Sequence, residues 1–167
     1  RFISGGTEDD SQVSVLLLHG YGADERDLPE LMSFLPSLPW YSPRAPLSAA
    51  GGFSWYLTAN LLEPTVEDLA AITQSLWDWI EQEIPASQKL IVLGFSQGGL
   101  MATQLLRTRP ERIAGTVILS GFLALGELPA DTQLEKDKPK ILYCRGLEDL
   151  RISKEAIARL NTWLQAK

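Results

Sequence analysis

Two stretches of this chain are apolar at almost every position for six or seven residues: 13–18 (Val-Ser-Val-Leu-Leu-Leu) and 89–95 (Lys-Leu-Ile-Val-Leu-Gly-Phe). A strand alternates its side chains between two faces, so a run without alternation must be buried on both. That requirement points to a sheet covered by other layers, and most simply to a parallel one. Residues 115–120 and 140–144 repeat the pattern, and 40–42 is a weaker strand stopped by Pro43.

Helical periodicity fills the gaps. Residues 65–84 open with Pro64, a Thr65 N-cap and the acidic first turn of Glu67 and Asp68. Leu69, Ile72, Thr73, Leu76, Trp77 and Ile80 then fall on one face. Residues 97–107 read as a helix that follows directly on a strand, and 153–164 as another with Ile157, Leu160 and Leu164 on one side. Alternating strands and helices predict an α/β fold with right-handed crossovers, in one domain over residues 1–167. Residues 47–63 and 121–139 lack either period and are read as long loops, with the mixed charges of 135–138 solvated.

Composition removes several classes of function. The net charge of -6 disfavours a nucleic-acid partner. No apolar run approaches the roughly 20 residues of a membrane-spanning helix, so stable membrane insertion is not expected. Residues 1–6 lack the pattern of a secretory signal. The one cysteine, Cys144, is compatible with a reducing, cytoplasmic setting and, lying in an apolar run, is expected in the core.

Chemistry concentrates at three strand ends. The strand 89–95 runs into Gly94-Phe95-Ser96-Gln97-Gly98-Gly99 and then a helix, the context of a nucleophile elbow. A serine in so sharp a turn needs flanking residues without side chains, and Gly94 and Gly98 supply them. Ser96 is the candidate nucleophile. Leu17-Leu18-His19-Gly20-Tyr21-Gly22 ends an earlier strand in a glycine-rich loop able to turn N–H groups towards an oxyanion. The Tyr21 and Gln97 amides are the expected donors. Tyr143-Cys144-Arg145-Gly146-Leu147-Glu148-Asp149 ends a late strand, where Asp149 is the expected triad acid and Glu148 its neighbouring competitor.

His19 is the only histidine. It precedes both serine and acid, whereas in this arrangement the base follows them, so it is read as a packed support for the loop. The aromatics Phe53, Trp55 and Tyr56 either line an acyl pocket or pack over the core.

These segments together resemble the phospholipase/carboxylesterase group of α/β-hydrolases, which includes acyl-protein thioesterases. The resemblance is carried by Leu-His-Gly-Tyr-Gly-Ala-Asp at 18–24, Ser-Pro-Arg-Ala-Pro at 42–46, Gly-Gly-Phe-Ser-Trp-Tyr at 51–56, Gly-Phe-Ser-Gln-Gly-Gly-Leu-Met-Ala at 94–102 and Arg-Gly-Leu-Glu-Asp at 145–149. It implies a mostly parallel sheet flanked by helices without a large cap. It also implies cleavage of a small-molecule carboxylic ester or thioester through an acyl-enzyme on Ser96, with no cofactor and no metal. A homodimer is compatible with it. Two departures stand out. Leu150-Arg151-Ile152-Ser153 replaces the proline and valines that usually follow the acid. The family's histidine, expected in a Gly-His pair after a further strand, is not among these 167 residues. The expectation is that the native chain continues past Lys167 into that strand. The alternative is a non-catalytic α/β-hydrolase-fold protein that binds a ligand in the same cleft.

Overall fold

The computed structural model describes residues 1–6 and 11–167. Six strands form the central sheet: β1 (Phe2–Gly5), β2 (Val13–Leu18), β3 (Trp40–Pro43), β6 (Lys89–Phe95), β7 (Ile113–Leu119) and β8 (Ile141–Cys144). Their order is β1-β3-β2-β6-β7-β8. Only β1 runs antiparallel to its neighbour; β3, β2, β6, β7 and β8 are mutually parallel. The fold is the expected mostly parallel sheet flanked by helices. The double-sided strands β2 and β6 take its centre, because only central positions can be covered on both faces.

One face carries α1 (Val66–Glu83), α2 (Gln97–Thr108) and α4 (Lys154–Ala166). Leu16, Leu18, Leu90 and Val92 meet Leu69, Trp77 and Ile80 of α1 and Leu100, Met101 and Leu105 of α2 there. Beside them Ile118, Ile141 and Tyr143 pack on Leu160, Trp163 and Leu164 of α4. The opposite face holds Val15, Leu17 and Leu93 under Leu28, Met32 and Leu38, which belong to or flank a short 3-10 turn (Pro29–Phe34).

The helix starts match their sequence signals. Thr65 and Asp68 form a reciprocal capping box, each side chain accepting from the other's backbone N–H at 3.1 and 2.9 Å. Ser153 caps α4 by accepting from the Ala156 N–H at 3.1 Å. α2 is buried from Gln97 through Arg107, so its polar side chains need internal partners. Arg107 finds one in Asp131, with Nε and Nη2 reaching Oδ1 and Oδ2 at 2.9 and 2.7 Å.

Three expectations need correction. Residues 47–63 are not all loop: β4 (Leu47–Ala49) and β5 (Gly52–Ser54) make a hairpin whose turn residues Ala50 and Gly51 both have positive φ. Residues 121–139 contain α3 (Asp131–Asp137), so Glu135 and Lys136 are helical, with Leu134 buried beneath them. That helix is tied down by the Arg107–Asp131 pair, a long-range contact that no local pattern reveals. Cys144 is exposed rather than in the core. β8 is the edge strand, and Leu142 and Cys144 share its face away from α4, where Leu142 is also exposed. An apolar run at an edge has cover on one side only.

Candidate active site

Parallel register delivers the chemistry to one edge of the sheet. Leu18 pairs with Gly94, Phe95 with Leu119, and Leu119 with Cys144. The chains that leave the sheet at 19–21, 96–97, 120 and 145–149 therefore emerge side by side. Two further backbone bonds fix them: Ser96 N–H donates to Leu119 O at 2.8 Å, and Ser120 N–H to Cys144 O at 2.7 Å.

Ser96 has φ 53° and ψ -113°, well outside the basins open to an L residue. Such strain costs on the order of 1–3 kcal/mol and persists only where the surroundings enforce it. They do so here through glycines. A Cβ on Gly94 would lie 2.1 Å from Gly98 O, and one on Gly98 would lie 1.9 Å from Leu18 O. No larger residue fits at either place, so strand, turn and helix close tightly around the serine. The serine carbonyl accepts from Leu100 N–H at 3.1 Å and starts α2. The hydroxyl thus stands at the positive end of a well-packed helix.

Among the described residues, neither Tyr21 N–H nor Gln97 N–H donates to a protein acceptor. Both residues line the cleft that contains Ser96. Free backbone N–H groups in a cleft can receive a developing oxyanion. The loop that presents Tyr21 is braced by β5: Gly22 N–H donates to Phe53 O and Phe53 N–H to Ala23 O, each at 2.8 Å. Gly22 has φ +79°, open to glycine at no cost.

The cleft has a volume of about 710 Å³. Its apolar walls include Leu61, Leu62, Phe95, Phe122 and Ile152, and its polar groups include Ser96, Ser120, Asp149 and Arg151. Asp149 lies inside and Glu148 is not among the lining residues, which separates the two carboxylates. Asp149 Oδ1 accepts from the N–H groups of Arg151 and Ile152 at 2.9 and 3.4 Å. Sequence reasoning missed the walls, since Leu61, Leu62 and Phe122 sit in segments without periodicity. It also missed Ser120, whose φ of 45° marks a second strained serine at the cleft.

The pattern of the phospholipase/carboxylesterase family matches residues 3–166. The chain belongs to that family. It is 28% identical over 149 residues to acyl-protein thioesterase 1 homolog 1 of Dictyostelium discoideum, covering 77% of this chain and 66% of that protein. The match thus spans just under two thirds of that relative's length. The fold is that of the Bacillus cereus carboxylesterase (TM-score 0.75, 17% identity, all of this chain and 94% of that one). It is also that of Zea mays acyl-protein thioesterase 2 (TM-score 0.74, 24% identity, 99% of this chain and 84% of that one).

In this family member the histidine and the aromatics form a scaffold. His19 is fully buried. Its Nε2 accepts from Ala45 N–H at 3.0 Å, which leaves Nδ1 to donate to Gly20 O at 2.8 Å. Burial lowers its pKa from the usual 6.5, so the ring is neutral at pH 7. Both nitrogens are spent on backbone, as expected of a support rather than a base.

Phe53, Trp55 and Tyr56 do not line the cleft. Trp55 and Tyr56 belong to the main core, and Trp55 Nε1 donates to His19 O at 2.9 Å. Arg44 lies over the Phe53 ring, 4.2 Å from its centroid. The Gln97 side chain clamps this segment: Oε1 accepts from Trp55 N–H at 2.9 Å and Nε2 donates to Tyr56 O at 3.0 Å. Of the two readings of these aromatics, packing is the one the geometry supports.

A buried ion pair holds the far side of the same loop. Glu25 is fully buried and takes Arg44 in a fork, Nε to Oε2 at 2.5 Å and Nη2 to Oε1 at 2.8 Å, with Arg1 at 3.1 Å. The Arg44 hydrogen bonds hold the Glu25 carboxyl at about 2, against the usual 4.5. A depressed carboxyl stabilises the fold above its unfolded value, and that stability is lost as pH falls towards the folded one. Glu25→Gln is therefore expected to flatten the loss of stability between about pH 4.5 and pH 2. Denaturant midpoints measured across that window check it; parallel pH curves for the two proteins would contradict it.

Proposed function

We propose that this protein is a serine hydrolase that cleaves carboxylic esters or thioesters of small molecules through an acyl-enzyme on Ser96. The observation that carries this reading is the strained Ser96 backbone, held between glycines that admit no side chain. Strain of this kind in a cleft, beside two unpartnered N–H groups, serves a nucleophile and has no use in a passive turn. Membership of the phospholipase/carboxylesterase family supports it.

In this mechanism Ser96 Oγ attacks the acyl carbonyl, and the Tyr21 and Gln97 amides receive the oxyanion. The leaving alcohol or thiol departs with a proton, and water then releases the acid. A neutral serine is a weak nucleophile at pH 7 and needs a base. Both His19 nitrogens are committed to backbone, so His19 is not that base. Asp149 orients that base.

The test is pre-steady-state hydrolysis of a para-nitrophenyl ester by the native protein. A burst of nitrophenol approaching one equivalent per protein supports the acyl-enzyme. Slow turnover with no burst and no covalent adduct would favour the competing reading, a ligand-binding cleft without chemistry. That reading draws its support from the same engagement of His19.

A further inference from the structure

The segment that departs from the family pattern, Leu150-Arg151-Ile152-Ser153, places a guanidinium in the candidate site. Arg151 lines the same cleft as Ser96. Its backbone N–H closes the Asp149 turn at 2.9 Å, which fixes where the side chain starts. The guanidinium itself makes no hydrogen bond or ion pair among the described residues, not even with Asp149 two positions away. Asp149 is the one carboxylate among the residues lining the cleft.

Two more guanidinium groups stand around this end of the cleft without a carboxylate partner. Arg145 Nη1 donates to Gly146 O at 3.1 Å, and Gly146 lines the cleft. Arg159 lies behind the wall, donating from Nη2 to Leu62 O at 3.3 Å and from Nε to Leu123 O at 3.0 Å. The exposed Glu148 lies outside the lining. Arg151 and Asp149 are the two charged residues of the lining, and Arg145 and Arg159 stand around it. Arg151 is itself exposed, so its unpaired guanidinium is open to an incoming anion at the mouth of a cleft lined by Leu61 and Ile152. Arg also offers a planar fork of donors that matches a carboxylate or a phosphate.

We propose that Arg151 selects substrates that carry an anionic oxygen group, a carboxylate or a phosphate, close to the scissile acyl bond. The proposal rests on the hydrolase reading given above. Arg151 is a specificity residue and takes no part in bond making.

The test compares para-nitrophenyl esters of similar length on the native protein: one ending in a carboxylate, one ending in a phosphate, and one ending in a neutral methyl group. The protein is expected to favour one or both anionic esters in kcat/KM, and the stronger of the two identifies the group. Arg151→Gln is expected to reduce the anionic-to-neutral ratio by about tenfold to a hundredfold, the range for a hydrogen bond to a charged group. Arg151→Glu is expected to invert the preference. Equal rates on all three esters, or a ratio that Arg151→Gln leaves unchanged, would overturn the proposal. Calorimetric titration with glutarate and with butyl phosphate separates it from the hydrolase reading. Binding that disappears in Arg151→Gln supports the anion site even if no ester is cleaved. Absence of binding, together with cleavage of the neutral ester alone, removes the anion site and leaves the hydrolase.

Discussion

Ser96→Ala is expected to lower kcat/KM on a para-nitrophenyl ester by about 10⁴-fold to 10⁶-fold, with little change in stability. The size follows from the reaction path, since without Oγ no acyl-enzyme forms. What persists is catalysis by the Tyr21 and Gln97 amides and by binding, worth roughly 10³-fold to 10⁴-fold over water. The small effect on stability follows from the structure. The strain resides in the backbone, where φ is 53°, and alanine bears the same Cβ as serine. The Ser96 hydroxyl makes no hydrogen bond to another described residue, so its removal breaks no packing contact of consequence. A denaturant midpoint and a rate measured on the same sample check both halves.

The second large effect concerns the acid. Asp149→Asn is expected to lower turnover by about 10⁴-fold, because an amide presents a donor where the base needs an acceptor and so favours the wrong tautomer. Oδ1 is engaged by the turn to Arg151 and Ile152, which leaves Oδ2 to the base. Glu148→Gln is expected to do far less, because Glu148 is exposed and does not line the cleft. Steady-state kinetics on the two variants decide between them. The reverse order would give the orienting role to Glu148.

The elements that carry the candidate site were readable where one local rule governs them. The elbow could be found because a strand, two glycines and a helix must occur in sequence for the backbone to pass through Ser96. The boundaries of β2 and β6 coincide with their apolar runs, since these strands are covered on both faces. The failures share a different cause. Cys144 has an apolar neighbourhood in sequence, but its position at the sheet edge is set by strand order, which composition does not encode. Trp55 and Tyr56 look like pocket residues in an aromatic loop. Their placement depends on partners far away in the chain, His19 O for the indole and Gln97 for the backbone. Glu25 gave no signal at all, because a carboxylate becomes structural only when Arg44 reaches it across the fold. Ser120 has its positive φ just past β7, where its N–H donates to Cys144 O, a pairing that only strand register reveals.

On the proposed reading, Ser96, Asp149 and Arg151 are polar in this cleft for reasons of chemistry rather than packing. On that reading Ser96 carries the chemistry and Arg151 the choice of substrate. A fluorophosphonate probe forms a stable bond only with an activated serine, so it interrogates the first without any assumption about substrate. The native protein is treated with the probe, digested, and mapped by mass spectrometry. One adduct per chain is expected, on the peptide containing Ser96, and absent from Ser96→Ala. A protein that stays unlabelled under conditions where it is folded, or that carries the adduct elsewhere, would contradict the assignment of Ser96 as nucleophile.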